Sequence, residues 1–324
     1  MRDEFSFITS ITPNHYFQKQ LSIGIGDDAA VYKTSNETEQ VVCVDAMVEG
    51  IHFRKDTLSS FQIGRKALAI NISDLAAMGA TPAYYLVTLA IPRTWTDEEL
   101  QEIYRGMNQI AASYQMDLIG GDTVSSDSQL MLSVTAIGTV KKGQALKRST
   151  AKPNDVVFVT GPLGRSAAGL HLLQQKNNKP FTNEELVCIQ VHQEPEPQVD
   201  SGMLFSQVNK RIALNDISDG LSSEAMELAE ASKQQIVIEH SKLTPVLPSI
   251  ETASLERKLD WLFNGGEDFQ LIGATSRETF QQLQKSAQND LFEIGYVRSG
   301  SPSVFMRNGE TESLISKSGY NHFN

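Results

Sequence analysis

The chain has 324 residues, 40% hydrophobic and 21% charged, an ordinary globular composition with room for two domains of the usual ~100–200 residues. Its formal net charge of -11 argues against nucleic acid or an anionic membrane as partners, yet leaves open phosphate ligands bridged by a divalent cation. Cys43 and Cys188, the two cysteines, stand apart without metal-ligand neighbours, which sets aside a disulfide framework or a zinc site and fits a reducing cytoplasm. Met1-Arg2-Asp3-Glu4-Phe5 carries charge where a secretory leader needs apolar residues, and no run approaches the ~18 apolar residues of a membrane span. The expectation is a soluble cytoplasmic protein.

Along the chain, the first signal is Gly24-Ile25-Gly26-Asp27-Asp28-Ala29-Ala30, adjacent carboxylates in small apolar surroundings that call for a positive partner. Residues 41–45 read as a buried strand ending on Asp45. From Ser59 to Met78 the apolar spacing is helical, with Asp74 near the end and Gly79 as the stop. Tyr84–Ile91 reads as a strand. A helix follows from Thr96, with Glu99 as its capping-box partner, to about Tyr114. Leu118 and Ile119 form a short strand that delivers Gly120-Gly121-Asp122 into a loop, and Leu130–Val140 alternates like a strand.

Near residue 150 the pattern restarts, which suggests domains over 1–149 and 150–324. Val156–Thr160 is a strand, and Gly161-Pro162-Leu163-Gly164-Arg165-Ser166 leads into a helix through Leu173. Residues 177–180 and 194–197 read as exposed loops. A helix over Leu221–Ser232 and a strand over Ile236–Glu239 follow. The expected fold class is mixed, an α+β N-terminal domain followed by an α/β C-terminal one.

A single aspartate at a strand end is usually a turn former or a cap, and Asp219 before Gly220 could be only that. Recurrence weakens this reading. Asp28, Asp45, Asp74, Asp122, Asp216 and Asp219 each follow a short apolar or glycine-rich lead, and another acidic pair closes Gly265-Gly266-Glu267-Asp268. Such carboxylates would repel one another on converging unless magnesium ions neutralised them, and magnesium completes its octahedron with water and phosphate oxygens. Nucleotide phosphoryl transfer is the chemistry this implies. No P-loop or protein-kinase signature is present. The Gly161–Gly169 stretch could cradle an anion at a helix N-terminus or serve tight packing. His52 could be structural, and Arg148 could reach phosphates or be a surface charge.

These segments resemble the thiamine-monophosphate kinase family of the aminoimidazole-ribonucleotide-synthetase-like superfamily. The likeness rests on Gly24–Ala30, on Asp45 with Val48–Phe53, on Lys66–Ala80, on Leu118–Thr123, on Asp216–Leu221, on Gly265–Phe269 and on Gly319-Tyr320-Asn321-His322-Phe323, in family order. The resemblance implies ATP-dependent phosphorylation of thiamine monophosphate to thiamine diphosphate. It also implies a homodimer whose N-terminal domains pair strands, and several bound magnesium ions with no general base. Magnesium ligands would be Asp28, Asp45, Asp74, Asp122, Asp216, Asp219 and Asp27. ATP would meet Gly121, Asp122, Arg148, Ser218 and Tyr104, and thiamine monophosphate His52, Glu267 and Tyr320. Cys43 and Val44 stand where the family often carries Ser or Thr, so one side-chain oxygen ligand is lost.

Overall fold

The computed structural model describes residues 20–23, 27–175, 180–286 and 291–317. Gly24, Ile25, Gly26 and Tyr320, and residues 177–179 of the expected loop, lie outside the described residues. Two sheets organise the molecule. The first is built from β1 (Leu21–Ile23), β2 (Ala30–Lys33), β3 (Thr38–Val48), β4 (Thr81–Ile91), β5 (Asp117–Ser125) and β6 (Met131–Lys141), in the order β1-β2-β3-β6-β4-β5. Only β4 and β5 run parallel in it.

Strand alternation gives this sheet two unlike faces. Val41, Cys43 and Met47 of β3, with Tyr85, Val87 and Leu89 of β4, are buried under helices α1 (Ser60–Ala77) and α2 (Asp97–Ser113). The opposite face leaves Val44, Tyr84 and Met131 exposed. Both helices begin in capping boxes, Ser59 with Gln62 and Thr96 with Glu99. They also touch backbone to backbone. A Cβ on Gly64 would lie 1.8 Å from the Ile103 carbonyl oxygen, and one on Gly106 would lie 1.9 Å from that of Phe61. Any larger residue at either position would force the helices apart.

The second half adds β7 (Val156–Val159), α3 (Arg165–Gln174), α4 (Asn183–Gln193), α5 (Val199–Gln207), β8 (Ile212–Ile217), α6 (Leu221–Ser232) and β9 (Gln235–Glu239). It continues with α7 (Leu255–Asn264), β10 (Gln270–Thr275), α8 (Arg277–Ser286), β11 (Phe292–Arg298), β12 (Ser303–Asn308) and β13 (Thr311–Ile315). Its strands form a second sheet in the order β13-β12-β9-β11-β7-β10-β8. The mixed α/β architecture matches the expected class.

Two local expectations need correction. Gly120, Gly121 and Asp122 lie inside β5, because parallel pairing with Leu86, Val87 and Thr88 gives these glycines backbone partners that propensity alone does not supply. Residues 194–197 are a loop, but Pro195 and Pro197 are buried against the first half. Arg65 of α1 donates to the Pro195 carbonyl at 2.9 Å and pairs with Glu196. The sequence pattern also leaves α4, α5, α7, α8 and most strands of the second sheet unassigned, since their short apolar runs carry weak periodicity.

Candidate active site

A cavity of about 830 Å³ opens where α1, the end of β3, the start of α3, the end of β8 and the Gly265–Phe269 loop meet. Asp27, Asp28, Asp45, His52, Asp74, Arg148, Ser218, Asp219, Asp216 and Glu267 all line it. These residues come from both halves of the chain. α1 contributes Ile70 and Asp74 to the wall, and Lys66, Ile70, Ser73 and Asp74 fall at i, i+4, i+7 and i+8, the spacing of a single helical stripe.

Asp28, Asp74 and Asp216 form its acidic centre, each offering a carboxylate oxygen within 4.8 Å of the others. Burial pushes Asp74 well above the usual carboxylate range, and Asp45, Asp216 and Asp28 add to the shift. Asp216 is likewise raised by burial and then by Asp28, although the Ser73 hydroxyl donates to its Oδ2 at 2.7 Å and opposes the shift. Three oxygen donors this close fit a hard divalent cation such as magnesium. Asp45 is held at the rim, its backbone N–H donating to Asn71 Oδ1 at 3.0 Å. Cys43, two residues earlier on the same face of β3, is buried, and its thiol donates to the Asn71 carbonyl at 3.3 Å.

Arg148 closes this centre. It pairs with Asp28 at 2.6 Å and with Glu227 at 2.9 Å, and its Nε donates to Asn215 Oδ1 at 2.9 Å. Its backbone N–H donates to Asp27 Oδ1 at 3.2 Å. Asp27 is nonetheless raised to about 6, first by burial and then by neighbouring Asp28. Asp219 does not cap α6; that place belongs to Gly220, and the Asp219 N–H donates to Glu224 Oε1 at 3.1 Å. Glu224 also accepts from Asn215 at 2.7 Å and from the Ser218 hydroxyl at 3.3 Å.

A second polar cluster surrounds Glu267. Its Oε2 accepts from Lys66 Nζ at 2.7 Å and lies 3.5 Å from His192 Nδ1, which in turn is 3.1 Å from the Ser166 hydroxyl. Burial is the largest single influence on Glu267 and opposes its ionisation, but the Lys66 charge, His192, the Lys66 hydrogen bond and His52 together hold the carboxyl below its usual range. Burial, and then the Lys66 charge, push His192 down to about 3, so it is neutral. His52 Nδ1 accepts from the Val48 N–H at 3.0 Å. The start of α3 is occupied by the chain's own Asp268 carboxyl, which accepts from Gly164 N at 2.5 Å and Ser166 N at 3.0 Å. Gly169 serves packing, since a Cβ there would lie 2.2 Å from the Cys188 carbonyl oxygen.

Not every residue named from the sequence reaches this cavity. Asp122 pairs with Thr88, in a row continuing through Ser133 to Ala46 on the uncovered face of the first sheet. Asp45 lies in the adjacent row, paired with buried Val134 on the helix-covered face. Gly121 shares the edge strand with Asp122, and Tyr104 lines a shallower concavity along α2. Tyr320 lies outside the described residues. Conversely, sequence reasoning gave no role to Lys66, Ser73, His192 and Glu224, and named Asp268 only as part of an acidic pair. Lys66 and Ser73 carried a usable signal, as polar groups inside an otherwise apolar helical run.

Residues 26–140 match the family model described as AIR synthase related protein, N-terminal domain. A thiamine-monophosphate kinase from Bacillus subtilis (strain 168) is 47% identical over 99% of both chains. The chain belongs to the thiamine-monophosphate kinase family. Among solved structures of thiamine-monophosphate kinases, that from Stenotrophomonas maltophilia K279a superposes with a TM-score of 0.76 at 31% identity, covering 90% of this chain and 92% of that one. A structure described as AaThiL complexed with AMPPCP and TMP gives a TM-score of 0.82 at 29% identity, over 100% and 99% of the two chains.

Proposed function

We propose that this chain transfers the γ-phosphoryl group of ATP to the phosphate of thiamine monophosphate, giving thiamine diphosphate and ADP. The observation that carries this reading is the Asp28–Asp74–Asp216 centre, closed by Arg148 and sharing one cavity with Glu267 and His52. The family membership and the relative described with AMPPCP and TMP support it.

In this reading Asp28, Asp45, Asp74, Asp216 and Asp219 hold magnesium, with Asp27 shaping the turn beside them. Bound magnesium would neutralise the two polyanions and stabilise charge in the transition state. Arg148 and Ser218 orient the triphosphate, while His52, Glu267 and Tyr320 hold the acceptor. An acceptor phosphate oxygen forms a bond to the γ-phosphorus as the bond to the β,γ-bridging oxygen breaks, and ADP departs. The acceptor is anionic at neutral pH, so no general base is needed. The chain's own residues act by positioning and by keeping water out.

We further read the chain as an ATP- and metal-binding unit over 1–149 followed by an α/β unit over 150–324, acting in the cytoplasm as a homodimer. The support for dimerisation is β5, exposed along its whole length with Leu118, Ile119 and Val124 uncovered. An apolar edge that pairs on its outer side with no other described strand is a template for a second copy. Gly121, Asp122 and Tyr104 would then work at the junction of two copies. No helix among the described residues is long and apolar enough to cross a membrane.

Incubation with ATP, magnesium and thiamine monophosphate, followed by chromatography, should yield thiamine diphosphate and ADP in equal amounts. A folded protein that makes neither would overturn the reading.

A further inference from the structure

We propose that Lys66, seconded by His192, is a positioning residue: it fixes one oxygen of Glu267 so that the other is presented to the ring end of the acceptor. The proposal rests on the kinase reading above and extends it to residues that do not themselves touch substrate.

Glu267 sits in backbone that few side chains adopt. Its φ is +70°, and Phe269 two residues on is at +49°. A non-glycine residue stays in this region only where its surroundings over-determine it. Two backbone bonds stitch the loop to the end of β8: Glu267 N to Ser218 O at 2.6 Å and Phe269 N to Ile217 O at 2.9 Å. The backbone therefore delivers the side chain to the cavity but does not choose its rotamer.

That choice falls to Lys66. Its side chain is fully buried, against 31% exposure for Glu267. A lysine so enclosed needs a charge partner, and Glu267 supplies it across 201 residues of sequence. Lys66 and His192 both approach Oε2, at 2.7 and 3.5 Å. Among the described residues no protein group bonds Oε1. The carboxylate is thus divided, with one oxygen committed to the scaffold and one left for a ligand. An anionic acceptor of this kind suits an amino group on a heteroaromatic ring, or a ring carrying positive charge. The stripe that carries Lys66 also carries Asp74, so one helix sets both the metal centre and this acceptor.

A mere staple between α1 and the loop would look similar in a static structure but behave differently in kinetics. For Lys66→Met in the full-length protein we expect the KM for thiamine monophosphate to rise roughly tenfold, with the KM for ATP changed by less than about twofold. In a Glu267→Gln background the same substitution should change the thiamine monophosphate KM by less than about twofold, because both act through one carboxylate. His192→Asn, a milder change that covers the case in which Lys66→Met does not fold, should raise that KM roughly threefold and leave the ATP value alone. An unchanged thiamine monophosphate KM in either single variant overturns the proposal. So does an undiminished effect in the Gln background, or a parallel rise in both KM values with a lowered melting temperature. Failure of the wild-type protein to form thiamine diphosphate is a separate outcome that refutes the kinase reading itself.

Discussion

The guanidinium of Arg148 clasps the carboxylate of Asp28 through two bonds, Nη2 to Oδ1 at 2.6 Å and Nε to Oδ2 at 3.2 Å. The same carboxylate belongs to the acidic centre with Asp74 and Asp216. Asp28 is therefore shared between a fixed cation of the protein and the place where a metal would bind. Removing the arginine leaves the centre without its nearest positive charge.

Arg148→Met should thus lower thermal stability in the absence of divalent cations, in line with the ~3–5 kcal/mol cost of breaking a buried pair. Millimolar magnesium should restore much of the loss, while the KM for ATP stays raised by roughly tenfold or more. Differential scanning calorimetry with and without magnesium checks the first part. If magnesium restores nothing, the sharing of Asp28 is wrong.

Asp74→Asn should separate folding from catalysis. Its ionised form is disfavoured by burial and by three acidic neighbours, so the amide should raise the melting temperature without metal. The stabilisation that magnesium gives the wild type should shrink, and turnover should fall roughly a hundredfold or more. Turnover near wild type at saturating magnesium would remove Asp74 from the metal centre.

Asp268 gives a pH signature of its own. Burial raises its pKa from 3.8 to about 7, against the opposing backbone bonds from Ser166 and Gly164. A carboxyl raised on folding is protonated in the folded state where it is ionised in the unfolded one. Stability therefore falls as pH climbs from the unfolded value to the folded one. Relative to wild type, Asp268→Asn should gain melting temperature progressively between about pH 4 and pH 7 and then level off. A difference independent of pH would show that the carboxyl is not raised.

Ile119→Lys tests the open edge. Placing a charge in the middle of β5 should block strand addition and yield a monomer by sedimentation velocity, with the fold kept by circular dichroism. An unaltered sedimentation coefficient, dimeric in both proteins, would move the interface elsewhere.

Much of the site could be read before any coordinates, for a physical reason. Asp74 and Asp216 fall near the ends of α1 and β8 and Asp219 just beyond β8, while Asp28 stands ahead of β2 and Asp45 within β3. Each follows an apolar or glycine-rich lead, and a carboxylate leaving such a run is visible as a break in pattern. Proximity was not visible: Asp45 and Asp122 have the same sequence format, yet strand register places them on opposite faces of a sheet. Lys66 and His192 escaped because their meaning lies in a partner that sequence distance hides. The second half of the fold was less legible, since short helices and fully buried strands carry little periodicity, and their boundaries are decided by what packs on them.

The backbone contact at Gly64 and Gly106 has a consequence for the molecules this cavity can hold. With α1 and α2 pressed together there, α1 cannot slide along its axis, and eight residues of rigid helix separate Lys66 from Asp74, a rise of about 12 Å. The helix is a ruler. On the kinase reading, an acceptor held by Glu267 at its ring and by the acidic centre at its phosphate would span that interval with its own covalent length, and the spacer between ring and phosphate would become a selected property.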